Sequence, residues 1–76
     1  MNKKRRASIQ SIHNKLDELR DQIEILQNEE QDAYNNLPES LQDSERGIQM
    51  NTAIDALEMA YGSIEEAMAS LEEAIE

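Results

Sequence analysis

Lys3, Lys4, Arg5 and Arg6 form an unbroken basic block, and the chemistry open to such a block is contact with phosphate. The other residues with reactive potential are scattered. His13 is the only histidine, and no glutamate stands three residues before it, as the Glu-x-x-His motif of a di-iron bundle requires. Glu29 and Glu30, like Glu65 and Glu66, are sequence neighbours, so on a helix they point about 100° apart and do not face each other. The chain has no cysteine, which removes thiol nucleophiles, cysteine-ligated zinc and disulfides together. With only Gly47 and Gly62, no glycine-rich loop can cradle a phosphate. The sequence therefore reads as non-enzymatic, with no cofactor and no metal site, and His13 reads as a surface residue.

The elements that position these residues are helices. Ile9, Ile12, Leu16, Leu19, Ile23 and Leu26 recur at alternating spacings of 3 and 4, a heptad seam with Ile9, Leu16 and Ile23 at a and Ile12, Leu19 and Leu26 at d. This predicts a first helix over about residues 4–34. Asn35-Asn36-Leu37-Pro38-Glu39 then interrupts, because the residue before a proline avoids the α region, and Asn36 with Glu39 reads as a capping box. A turn at about 35–37 leads to a second helix over about 38–75, where Ile54, Leu57, Tyr61, Ile64, Met68, Leu71 and Ile75 repeat the same spacing. The expected fold is all-α: one domain over 1–76, an antiparallel helical hairpin with heptad seams. With the turn centred near 35–36, Lys3–Arg6 is expected alongside residues 65–68, with Glu65, Glu66, Glu72 and Glu73 in reach.

The second helix has the wider apolar face. Ala53, Ala60, Ala67 and Ala74 fall every seven residues at g, beside the a and d rows. A face three positions wide in seven wants more than one neighbour. A chain of 76 residues whose only aromatics are Tyr34 and Tyr61 also lacks the bulk for a compact monomeric core. The expectation is a homodimer joined through the second helices as a four-helix bundle or coiled coil. Its core would be Ala53, Ile54, Leu57, Ala60, Tyr61, Ile64, Ala67, Met68 and Leu71.

Ser40–Gly47 breaks the pattern. The regular frame run backwards places Ser40 and Gly47 at a and Asp43 at d, none of which suits a core. Two readings stand. One is a stutter near the tip of the hairpin. The other is a polar recognition patch of Glu30, Ser40, Asp43, Ser44, Glu45 and Arg46, with Gly47 allowing close approach or a bend. Ile25, Ile48 and Met59 lie off the seams, and Ile25 is expected near Ile48. An apolar centre with a polar rim would suit a protein partner.

Charge limits the partners. Residues 1–36 hold six basic and seven acidic residues, net −1, whereas 37–76 hold Arg46 and ten acidic residues, net −9. A chain of net charge −10 is not a general nucleic-acid binder. The basic block leaves room for an accessory role on nucleic acid, and the acidic second helix for mimicry of DNA. No apolar run approaches the roughly 18 residues of a membrane span, and Met1–Arg6 is not followed by the apolar stretch of a signal peptide, so a cytoplasmic location is expected.

Residues 35–47, Asn-Asn-Leu-Pro-Glu-Ser-Leu-Gln-Asp-Ser-Glu-Arg-Gly, followed by an Ala/Glu-rich helix, resemble a group of short acidic helical proteins from Firmicutes and their phages. The resemblance covers most of the chain. It carries over no functional residue, since the group has no assigned activity. It implies a phage or mobile-element setting, in which small acidic proteins often bind and block a host protein.

Overall fold

The computed structural model describes all 76 residues. Helix α1 spans Lys3–Asn35, a single-turn helix α2 spans Glu39–Gln42, and helix α3 spans Glu45–Ala74, with no strand. α1 and α3 run side by side as a helical hairpin measuring 59 × 14 × 13 Å. Its radius of gyration is 17.3 Å, against about 11 Å for a compact domain of this length. The molecule is a rod, with one line of helix contact as its interior.

α1 begins where Asn2 accepts a hydrogen bond from the Arg5 backbone N–H at 2.8 Å, one of the four amides a helix start leaves unpaired. It ends at Asn36, whose N–H reaches back to the Asp32 and Tyr34 carbonyls. Asn36 therefore closes the first helix and does not cap the second. Pro38 opens α2 without a side-chain cap. The expected continuous helix over 38–75 is broken at Asp43–Ser44, and Ser44 is the true cap of α3, accepting from the Gly47 N–H. The Ser44 hydroxyl also donates to the Leu41 carbonyl, so one side chain ties the end of α2 to the start of α3. Gln42 does the same for α1, donating to the Leu37 carbonyl at 3.3 Å and the Tyr34 carbonyl at 3.5 Å.

The register follows from the polar pairs across the hairpin. His13 bonds Glu72 at 3.0 Å and Arg20 meets Glu65 at 3.6 Å. The residue numbers of each pair total 85, and all four residues lie at e. The expected placement of Lys3–Arg6 beside 65–68 is thus corrected by two full heptads, because α2 and its flanking turns lengthen the connection. At the observed register α3 ends at Ala74 before it draws level with the basic block. None of Lys3, Lys4, Arg5 or Arg6 makes an ion pair, while Glu65 and Glu72 are held by Arg20 and His13.

Only Gly47, Ile54 and Met68 are buried. Ile54 and Met68 belong to the a row of α3, facing the a row of α1, where Ile9, Leu16 and Ile23 are half-buried. The d row of α1 does not join this seam: Ile12, Leu19 and Leu26 remain 49%, 47% and 52% exposed. The first helix therefore divides its two apolar rows, one inward and one bare.

Gly47 is buried because α2 packs directly against the first turn of α3. A Cβ there would stand 2.6 Å from the Gln42 carbonyl carbon and closer still to its oxygen, whereas a Cβ on Gly62 meets nothing within 4 Å. Gly47→Ala is expected to destabilise the hairpin by about 1–3 kcal/mol, the usual cost of forcing atoms into a packed site. Gly62→Ala is expected to stabilise it by about 1 kcal/mol through helix propensity. Urea denaturation midpoints measure both, and equal shifts in the two variants would contradict the tip packing.

Candidate protein-interaction surfaces

Three surfaces carry the residues singled out in the sequence: the paired e edges, the tip and the basic end. Along the e edges Arg20 is the hub. Its guanidinium bonds Asp17 at 2.6 Å one helical turn away, lies 3.8 Å from Asp21, meets Glu65 across the hairpin and sits over the Tyr61 ring, 5.9 Å from the centroid. Arginine suits this place because its planar head both pairs with carboxylates and stacks on an aromatic face. Desolvation raises the Tyr61 phenol above its ordinary value, and the nearby Glu24 and Glu65 carboxylates push the same way, with Arg20 opposing them. The numbers of Glu24 and Tyr61 also total 85, a third point on the same register.

His13 is not the free surface residue that its position suggested. Its side chain keeps only 16% of its exposure beside Glu72, and its Nδ1 is enclosed without a partner, as is the Arg20 Nε. No three potential metal ligands converge anywhere in the chain. The one concavity lies on the outer side of α1, lined by Ala7, Gln10, Ser11, Asn14, Lys15 and Glu18. It is a dip between neighbouring turns of a single helix.

The candidate patch at the tip separates into two kinds of residue. Ser44 is spent as the cap of α3, and Glu30 is half-buried along α1. Ser40, Asp43, Glu45 and Arg46 are exposed, and none of them makes a side-chain hydrogen bond or ion pair. Leu41 and Ile48 lie among them with 46% and 59% of their surface bare. Gln42 was not singled out by sequence pattern. Its amide shows its role only once the two carbonyls it serves are brought together.

Ile25 is 57% exposed and Met59 74% exposed. The expected neighbourhood of Ile25 and Ile48 is overturned by the register. Residue 25 stands level with residue 60, about 18 Å along the helix from Ile48 at 1.5 Å per residue. Of the expected oligomer core, Ile54 and Met68 face α1 within the hairpin. Ala53, Leu57, Ala60, Tyr61, Ile64 and Leu71 are half-buried, and Ala67 is exposed.

No family model, curated protein or solved structure matches the chain. No helix is long and apolar enough to cross a membrane.

The Tyr61 environment gives a pH test. A phenol whose folded value lies above its unfolded value of 10.0 favours the folded state below pH 10, and that contribution is lost as pH rises through the folded value. Between pH 9 and 11 the urea midpoint of the wild-type chain is expected to fall more steeply than that of Tyr61→Phe. Parallel curves would show that the phenol does not sense the fold.

Proposed function

We propose that this chain is a non-enzymatic protein-interaction module that recognises its partner with the tip of the hairpin. The observation that carries the reading is the combination at that end. Leu41 and Ile48 are bare, and the residues that neighbour them in the chain, Ser40, Asp43, Glu45 and Arg46, are exposed and uncommitted, on a turn held by Ser44, Gln42 and Gly47. An apolar centre with a polar rim on a pre-organised support is the usual make-up of a recognition site, because little ordering entropy is lost on binding. The resemblance of residues 35–47 to short phage-associated proteins supports a partner in a bacterial host, which the module would bind and modulate.

The test is a tagged pull-down from nuclease-treated bacterial host lysate with the wild-type chain and with Arg46→Glu/Ile48→Asp. Both substituted residues are exposed, so helical circular dichroism is expected to be unchanged. A protein retained in stoichiometric amount by the wild-type chain alone is the expected result. Identical capture by both chains would remove the tip from the reading.

The free basic block favours a second reading, an accessory contact with nucleic acid. Lys3, Lys4, Arg5 and Arg6 sit on the capped first turns of α1, unpaired and beyond the end of α3. If all four engage phosphates, log affinity for duplex DNA falls against log salt with a slope of about −3.6. Anisotropy titrations with labelled DNA and RNA at low salt read this directly, and absence of binding there would end it.

A further inference from the structure

The pairing of the e edges puts the polar contacts of the hairpin on one flank and leaves the other to the d row of α1 and the alanine row of α3. On that bare flank the register sets Ile12 nearly level with Leu71, Leu19 with Ile64 and Leu26 with Leu57. This makes three apolar rungs along the rod. The α1 member of each rung is about half exposed, and the α3 member is half-buried at the edge of the seam. Beyond the α3 members runs the alanine row of that helix, with Ala67 and Ala74 exposed.

We infer that a second copy of this chain covers this flank, completing a four-helix bundle in which α1 of each copy lies along α3 of the other. Three observations name the occupant. The first is area. The chain exposes 5698 Å², whereas a compact monomer of 8.7 kDa exposes about 4700 Å². The excess of about 1000 Å² matches the roughly 800 Å² per partner that a stable interface removes.

The second is charge. From Ile48 to Ile75 every acidic residue of α3 lies at b, e or f: Asp55, Glu58, Glu65, Glu66, Glu72 and Glu73. Positions c, d and g over the same span hold no charge at all. The α3 side of the flank can therefore be covered without burying a carboxylate, and the d row of α1 is bordered at g by Lys15 and Glu29, one charge of each sign.

The third is shape. A two-fold axis along the rod keeps every residue at its own height. Ile12 then meets the partner's Ala74, Leu19 the partner's Ala67, and Leu26 the partner's Ala60. Large side chains on one helix face small ones on the other, which is how bundle layers interdigitate. The flank thus carries both halves of its own complement, as an isologous interface requires.

Ala67→Lys tests this. The position is exposed in the hairpin, so a single hairpin tolerates the change, whereas an interface would receive a charge at its centre. Sedimentation equilibrium from micromolar to millimolar concentration is expected to give twice the 8.7 kDa mass for the wild-type chain. The single mass is expected for Ala67→Lys, and the doubled mass for the control Met59→Lys at f, about 100° round the helix and 74% exposed. A wild-type monomer, a larger assembly, or an Ala67→Lys dimer would each overturn the proposal. Loss of helix in Ala67→Lys together with loss of the doubled mass supports it, provided Met59→Lys stays folded and dimeric. For the arrangement, Leu19→Cys and Ala67→Cys chains mixed and oxidised are expected to give the mixed disulfide. Same-residue disulfides alone would place the axis across the rod and overturn the pairing of α1 with α3.

Discussion

The e-edge pairing of Arg20 with Glu65 and His13 with Glu72 decides which flank of this hairpin is polar and which is bare. Two helices share a single line of contact, and each carries more apolar surface than that line can cover. Turning either helix about its axis exchanges one apolar row for another at little net cost. Polar contacts this exposed contribute only about 0–1 kcal/mol each, so they decide the rotation only because the competing apolar rows are alike in residue type and spacing. With the e edges together, the a rows meet in the seam, the d row of α3 stays half-buried beside it, and the d row of α1 is carried to the opposite side. The 47–52% exposure of Ile12, Leu19 and Leu26 is the direct consequence.

The tip solves a different problem, the reversal of a helix without any residue at positive φ. Pro38 supplies the extended segment, with φ near −56°, and α2 then folds back against α3 at Gly47. The missing side chain at Gly47 is what permits the approach, and the polar groups it brings together satisfy one another through Ser44 and Gln42. A longer connection than a simple turn has a second effect: it slides α3 along α1 and frees the basic block from the glutamates.

The limits of the sequence reading have the same origin. The 3 and 4 spacings of Ile9–Leu26 and Ile54–Ile75 give the first helix and the end of the last to within a residue or two, because each needs a continuous stripe, but the start of the last helix falls seven residues later than expected, at Glu45. They do not give the register. The expected and observed pairings differ by fourteen residues, and a seven-residue repeat matches itself equally well after a shift of two repeats. Only the length of the connection breaks that degeneracy, and it turned on which polar residue capped the last helix. Asn36 and Ser44 both have the chemistry of a cap. The close packing of Gly47 on Gln42 selects Ser44, and that is a long-range fact that no local propensity contains. The same shift dissolved the expected neighbourhood of Ile25 and Ile48, while the exposed, uncommitted residues of the tip were legible from their failure to fit the frame.

Separation along the rod gives the two proposed surfaces their independence. The rungs from Ile12/Leu71 to Leu26/Leu57 occupy the shaft, and Leu41 and Ile48 stand at its end. A two-fold axis along the rod would leave both tips free and side by side. Two weak recognition sites held rigidly in one body bind a two-sited partner far more tightly than either alone, because the second contact is made at high effective concentration. In a hairpin with so little interior, self-association would therefore do more than supply the missing core. It would turn a small exposed turn into a bivalent end, with the acidic e and f rows kept to the outside of the shaft.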